Sequence, residues 1–165
     1  MPQLLIVHHS PTASLQRLTE TVVAGAHDDQ IDGVEVVVRP ALEATSEDVL
    51  AADGYILGST ANFGYMAGAL KHFFDSTFLQ IGGALDEHGG ADDSAGTTAK
   101  RPFGLYVHGR YDTTGAIRSI LAITGALGWT QTAATVDVVG DVGPDDLEVA
   151  YEMGATIAAM LIEQA

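Results

Sequence analysis

The chain has 165 residues, no cysteine and a formal net charge of −15, from 22 acidic residues against 7 Lys and Arg. The absence of cysteine excludes disulfides, thiol catalysis and thiolate metal sites. The shortage of bases argues against nucleic acid and anionic membranes as partners, since both are held by basic patches. Hydrophobic residues make up 47%, enough for a core, and the length predicts one globular domain over residues 1–165. No apolar run is long enough to span a membrane, and Leu4–Val7 is too short for a leader, which points to a cytoplasmic protein. The acidic surface serves solubility or steers a basic partner protein, the former being the simpler reading.

Leu4–Val7 is a continuous apolar run, as expected of a central parallel strand buried on both faces. It leads into His8, His9, Ser10, Pro11, Thr12, Ala13 and Ser14. A helix is predicted from near Leu15, with Leu15, Leu18, Val22 and Ala26 on one face and Ser14 as its N-cap. Asp28, Asp29 and Gly33 mark a connection to a second strand, Val34–Arg39, closed by Pro40. Ser46 is placed to cap a short helix, Glu47–Ala52. Gly54–Gly58 reads as the third strand and Ser59–Ala67 as a loop. From Gly68 the spacing turns helical, with Leu70, Phe73, Phe74, Thr77 and Phe78 on one face.

Gly82–Arg101 is rich in Gly and Asp and reads as a mobile surface excursion, a lid or an oligomer edge, because it cannot bury enough apolar surface to offset its ordering entropy. Pro102–Val107 is the fourth strand and ends in His108–Asp112. The next helix carries Ile117, Ile120, Leu121 and Ile123 and ends near Gly128. Ala134–Val139 is the fifth strand. The last helix starts near Pro144, a favoured first-turn position, and buries Leu147, Ala150, Gly154, Ile157 and Leu161.

Five strands alternating with five helices predict a three-layer α/β sandwich around a five-stranded parallel sheet. The leading strand order is 2-1-3-4-5, with its switch point between strands one and three, where ligands bind outside the carboxyl ends. The loops at 10–15, 60–66 and 108–113 then converge. Neither a Gly-x-Gly-x-x-Gly fingerprint nor a Gly-x-x-x-x-Gly-Lys phosphate loop is present. Ser10, Thr12 and Ser14 place hydroxyls on alternate residues, and the N–H groups opening the next helix add donors, so a terminal phosphate fits there without Lys or Arg. The plainer alternative is a Ser/Thr-rich N-cap turn. Gly64 and Gly68 let the backbone approach a flat ligand, because no Cβ intervenes.

Other groups point elsewhere. His8 and His9 are adjacent in a strand, face opposite ways and do not share a metal. His88 with Asp86, Asp92 and Asp93 reads as a solvated loop, so no metal site is expected. His72 is assigned to the surface or to helix packing, and Trp129 to the core or an interface. No nucleophile elbow of the Ser-His-Asp hydrolases appears.

LLIVHHSPTASLQRLTETVVAGA (residues 4–26) resembles the strand, phosphate loop and helix of the flavodoxin-like FMN proteins. GSTANFGYMAGALKHFFD (residues 58–75) resembles the flavin loop of the NAD(P)H:quinone oxidoreductases of tryptophan-repressor-binding-protein type, and of related NADPH-dependent FMN reductases. Gly58, Phe63, Gly64, Met66, Gly68, Lys71, Phe74 and Asp75 match that pattern, while Asn62 stands in place of an Arg and Thr60 in place of a Pro.

The resemblance implies a flavodoxin-like fold and bound FMN. Ser10, Thr12, Ala13, Ser14 and Leu15 would wrap its phosphate. Thr60, Ala61, Asn62, Phe63 and Gly64 would follow the isoalloxazine edge. His108, Gly109, Arg110, Tyr111 and Asp112 would form the third wall, with Tyr111 stacking and His108 bonding the pyrimidine end as the candidate catalytic pair. NAD(P)H would be the transient hydride donor and a quinone or free flavin the acceptor, in a homo-oligomer, dimer or tetramer. Two other readings stand beside this one. One is a flavodoxin-type electron carrier docking on a basic redox partner protein; the other is a flavin-free domain that binds a partner.

Overall fold

Leu4, Leu5, Ile6 and Val7 have no exposed surface, and the strand they form, β1 (Gln3–His8), is paired on both sides. A computed structural model describes residues 1–91 and 96–165. After β1 come α1 (Ala13–Ala26), β2 (Glu35–Pro40), α2 (Ser46–Ala51), β3 (Gly54–Asn62), β4 (Tyr65–Met66) and α3 (Gly68–Thr77). Then follow β5 (Pro102–Gly109), α4 (Thr114–Ala126), β6 (Thr130–Gln131), β7 (Val136–Val139) and α5 (Pro144–Gln164).

The sheet runs β2-β1-β3-β5-β6, and every pairing is parallel except the short β3–β4 return. The fifth strand of the expected order is a broken edge. β6 pairs with Pro102 and Phe103, and β7 pairs with Tyr106 to Gly109 further along the same strand. Counted as one interrupted strand, β6 and β7 complete the 2-1-3-4-5 order.

Strand alternation divides the core in two. Leu5, Val7, Tyr55, Leu57, Phe103 and Leu105 pack with Phe73, Phe74 and Ile120 of α3 and α4. Leu4, Ile6, Ile56 and Tyr106 pack with Leu15, Leu18 and Ile157 of α1 and α5. Those last two helices touch backbone to backbone. A Cβ on Gly25 would fall 2.0 Å from the Tyr151 carbonyl oxygen, and one on Gly154 2.1 Å from that of Val22.

Several expected boundaries move, each for a local reason. The cap of α1 is Thr12, not Ser14: its backbone is extended and its Oγ1 accepts the Leu15 N–H at 3.2 Å, which leaves Ser14 inside the first turn. The cap of α2 is Thr45, not Ser46, because Thr45 and Asp48 form a reciprocal capping box. β3 continues four residues past Gly58, since Ser59 and Thr60 pair with Val107 and His108, and Ala61 and Asn62 with Met66 and Tyr65.

The excursion expected over Gly82–Arg101 has its neck in the core. Thr98 is fully buried; its hydroxyl donates to the Ile81 carbonyl at 2.6 Å and accepts from Trp129 Nε1 at 2.8 Å. Trp129 itself stacks on Tyr55 with ring centroids 4.0 Å apart. Asp86 Oδ1 accepts from the N–H groups of His88 and Gly90, closing a turn within the loop. Asp92 and Asp93 lie outside the described residues. Among the described residues no group of three His, Asp or Glu is placed to hold a metal ion.

Gly154→Ala should lower the unfolding free energy by at least about 1–3 kcal/mol, because the new methyl meets fixed backbone. Urea denaturation checks this as a lower midpoint at unchanged slope.

Candidate functional site at the carboxyl edge of the sheet

The carboxyl ends of β1, β3 and β5 bring three loops together. The His9 N–H donates to the Gly58 carbonyl at 3.1 Å and joins the first loop to β3. Thr60 lies in register with His108, and a Cβ on Gly109 would come within 3.0 Å of both the Ala61 methyl and Thr113 Cγ2. The β3–β4 hairpin rests on the first turn of α4, where a Cβ on Gly115 would fall 1.9 Å from the Gly64 carbonyl oxygen.

That hairpin turns through Phe63 (φ 52) and Gly64 (φ 76). Left-handed backbone at both central residues matches the twist of a two-residue hairpin. Gly accepts this conformation freely; Phe does not. The Phe63 ring is nonetheless fully exposed, so burial of its own side chain does not offset the strain. Strain of this kind is characteristic of ligand-binding loops. Around Gly64 and Gly68 a Cβ would meet nothing within 4 Å, so that side of the hairpin is open.

In the first loop the Thr12 hydroxyl oxygen caps α1, while the Ala13 and Ser14 N–H groups have no intrahelical partner, as at every helix start. Ser10 turns inward. Its Oγ lies 2.8 Å from His8 Nδ1 and 2.8 Å from Thr19 Oγ1, and Thr19 Oγ1 lies 2.7 Å from the Tyr106 hydroxyl. The Tyr106 ring crosses Gly58 so closely that a Cβ there would sit 2.1 Å from a ring carbon. Burial pushes the Tyr106 phenol well above its usual range and keeps it neutral. Burial, and then the neighbouring His9, lower the pKa of His8.

The third loop is strapped to the connection between β7 and α5. His108 Nε2 donates to the Gly140 carbonyl at 2.7 Å, and the Gly140 N–H returns to the Gly109 carbonyl at 2.9 Å. Arg110 pairs with Asp141 at 2.7 Å; this hydrogen-bonded contact raises the one pKa and lowers the other. Asp112 accepts the Thr114 N–H at 2.9 Å, which holds its carboxyl below the usual range. Tyr111 is 89% exposed. Of the expected catalytic pair, then, Tyr111 is available to a ligand, whereas the Nε2 of His108 is committed to a carbonyl.

Thr60 Oγ1 is buried and has no hydrogen-bond partner among the described residues. Buried hydroxyls are rarely left unpaired, and this one lies at the meeting point of the loops. Sequence reasoning missed Thr19, Tyr106 and Gly140, all of which shape the site. The one available signal was Gly58 in an otherwise apolar strand, the mark of a close approach. A cleft of about 470 Å³ at the opposite, amino end of the sheet is lined by Asp53, Lys100, Arg101 and Leu161. Arg101 is already satisfied there by the carbonyls of Val49 and Ala52 and the Tyr55 hydroxyl, so that cleft has less to offer a ligand.

No family model matches the chain. It is 35% identical to a flavodoxin of Aquifex aeolicus over 52% of this chain and 45% of that one. It is 30% identical to an NAD(P)H dehydrogenase (quinone) of Geotalea daltonii over 46% of this chain and 47% of that one. The chain thus spans about half the length of the curated relatives it matches. Among solved structures it superposes on a flavodoxin from the domain Archaea with a TM-score of 0.76 at 14% identity, over 97% of this chain and 99% of that one. It superposes on the flavodoxin, WrbA-like protein from Agrobacterium tumefaciens with a TM-score of 0.74 at 16% identity, over the whole of both chains. The chain has a flavodoxin-like fold. In this flavodoxin-like chain the expected five-stranded sandwich is realised with a broken fifth strand, and its three carboxyl-edge loops carry the residues singled out from the sequence.

His8 makes the stability of this chain pH-dependent. Its folded pKa lies below the unfolded value of about 6.5, so the unfolded state binds the proton first. The His8 contribution is therefore fully present above about pH 6.5 and is lost as pH falls through the folded value. Urea unfolding at several pH values should show stability falling below about pH 6.5, with a shallower fall in His8→Gln.

Proposed function

We propose that this chain binds one FMN across the three loops and acts as an FMN-dependent NAD(P)H oxidoreductase that reduces a quinone or free flavin. The observation that carries the reading is a cluster of unused groups at one sheet edge. Among the described residues the Ala13 and Ser14 N–H groups and the Thr60 hydroxyl have no hydrogen-bond partner, and two exposed aromatic rings, Phe63 and Tyr111, stand on the neighbouring loops. Unpaired donors suit a phosphate and a polar ring edge; exposed rings suit a flat aromatic ligand. The open space around Gly64 and Gly68 fits the same group.

On this reading the Ala13 and Ser14 N–H groups and the Thr12 and Ser14 hydroxyls hold the phosphate, and Leu15, whose N–H is taken by the Thr12 cap, closes the loop behind them. Ser10 shapes the loop beneath them. Thr60, Ala61, Asn62, Phe63 and Gly64 line the ring edge. Gly109, Arg110, Tyr111 and Asp112 form the third wall, and His108 keeps that wall in place through Gly140. Tyr111 covers part of the flavin, and the uncovered part is left to the nicotinamide and then to the acceptor. Bound FMN would supply the hydride chemistry, and the protein orients it. A homo-oligomer in the cytoplasm completes the proposal.

The names of the quinone dehydrogenase relatives and the Phe63–Met66 motif support the reductase. The net charge of −15 and the Aquifex aeolicus flavodoxin favour a second reading, an electron carrier that docks on a basic redox protein. NAD(P)H oxidation in the presence of benzoquinone separates the two: turnover supports the reductase, and its absence from FMN-loaded protein supports the carrier.

Titration with FMN should quench flavin fluorescence at one equivalent per chain and raise the melting temperature; no change in either sinks the FMN assignment. In Thr12→Ala/Ser14→Ala, FMN should bind at least about tenfold more weakly, since each hydroxyl bond to an anion contributes about 1.5–3 kcal/mol and about 1.4 kcal/mol is one decade. Loss of the Thr12 cap should cost about 1 kcal/mol of stability. Riboflavin, which lacks the phosphate, should bind parent and variant equally. Equal loss for both flavins would place the phosphate elsewhere.

A further inference from the structure

An aspartate followed by glycine is open to one backbone rearrangement, because glycine has no Cβ to hinder attack of its nitrogen on the neighbouring carboxyl. The pair occurs twice, at Asp32-Gly33 and Asp53-Gly54. The fold treats the two in opposite ways.

Asp53-Gly54 opens β3. Gly54 is buried and in register with Leu4. The Asp53 N–H donates to the Gln3 carbonyl at 2.8 Å, and Asp53 Oδ2 accepts the Gln3 N–H at 2.9 Å. A Cβ on Gly54 would lie 3.0 Å from Leu161 Cδ2, so this peptide has no room to turn.

Asp32-Gly33 lies in the connection from α1 to β2, at the amino edge of the sheet. Asp32 is exposed, Gly33 has φ 96, and a Cβ on Gly33 would meet nothing within 4 Å. Among the described residues the Gly33 N–H has no hydrogen-bond partner. The flanks, by contrast, are fixed. The Ile31 N–H donates to the Asp28 carbonyl at 2.8 Å, and the Glu35 N–H to the Pro2 carbonyl at 2.9 Å.

We propose that Asp32 is a site of spontaneous covalent modification, at which the chain closes a succinimide and reopens as isoaspartate. The Gly33 nitrogen bonds to Asp32 Cγ. The C–OH bond of the protonated carboxyl breaks, and the hydroxyl leaves with the amide proton as water. Water then opens the ring. Cleavage at the side-chain carbonyl restores aspartate; cleavage at the main-chain carbonyl leaves the backbone running through Cβ. Water is the one co-reactant, and nothing is oxidised or reduced. The reaction is independent of the FMN reading.

Isoaspartate inserts a methylene into the main chain between the two fixed flanks. Ile31 and Val34, half-buried against the α1 and α5 side of the core, lie between or beside those flanks. The start of β2 is also tied by Gln3 Nε2, which donates to Glu35 Oε2 at 3.1 Å. The added length displaces these contacts. β2 is an edge strand, so the fold survives with reduced stability, and the loops at the carboxyl edge keep their places.

The test follows the full chain kept warm in neutral buffer for several weeks. Samples are digested and read by electron-transfer fragmentation, which separates isoaspartyl from aspartyl peptides. Isoaspartate at position 32 should exceed that at position 53 at least about fivefold, since the buried pair reacts only after local opening. In guanidinium chloride the two positions should convert at similar rates, because the fold alone distinguishes them. Equal conversion in the folded chain, faster conversion at position 53, or an Asp32 that converts only when unfolded overturns the proposal. Asp32→Glu keeps the charge, but its longer side chain cannot close the five-membered ring. The aged parent should unfold at a lower urea concentration than the fresh protein, in step with its isoaspartate content, while aged Asp32→Glu keeps its midpoint. Equal shifts in the two overturn the link to β2. FMN enters neither readout, so failure of the functional proposal leaves this test intact.

Discussion

The Tyr106 phenol, laid across Gly58 and ending on Thr19, is the contact on which the rest of the site depends. It joins three elements at once: β5 supplies the ring, β3 the gap, and α1 the first acceptor. The gap exists because residue 58 has no Cβ. Any side chain there would displace the ring, and with it the hydroxyl that meets Thr19. The burial that disfavours a charge on Tyr106 also makes an unpaired proton on it costly, so Tyr106 donates to Thr19.

Close backbone contact is used twice more. Gly25 and Gly154 let α1 and α5 touch. Gly115 lets the Phe63–Gly64 turn rest on α4, so the strained hairpin is supported by a helix instead of projecting freely. The strain at Phe63 persists because this support and the β3–β4 pairing over-determine the turn.

The parts of the fold legible in the sequence were those written in apolar runs. Leu4–Val7 and Pro102–Val107 are buried on both faces and contain little else, so their identity as central strands followed from composition. From the strand order came the convergence of three loops. The parts that were not legible rest on partners far away in sequence. Ser59-Thr60-Ala61-Asn62 is polar and small and reads as a loop, yet it is a strand because β5 offers Val107 and His108 in register. Ser10, Thr12 and Ser14 are equally plausible caps on residue type alone. Thr12 prevails because Ser10 is drawn inward by His8 and Thr19, a pull the local sequence does not record. The Gly82–Arg101 stretch looked wholly exterior by its Gly and Asp content, and its composition gave no hint that Thr98 would meet Trp129 thirty-one positions on.

The net charge of −15 sits uneasily with a site proposed to hold a phosphate, and the way the site meets that difficulty follows from its donors. A Lys or Arg in the first loop would attract the anion, but in so acidic a chain it would also be drawn to carboxylates, as Arg110 is to Asp141 and Arg39 to Asp48. Backbone N–H groups cannot be diverted in this way. Their direction is set by α1, and their partial charge does not depend on pH. Burial and then His9 disfavour a second proton on His8, so the end of β1 adds no positive charge for the surrounding acids to capture.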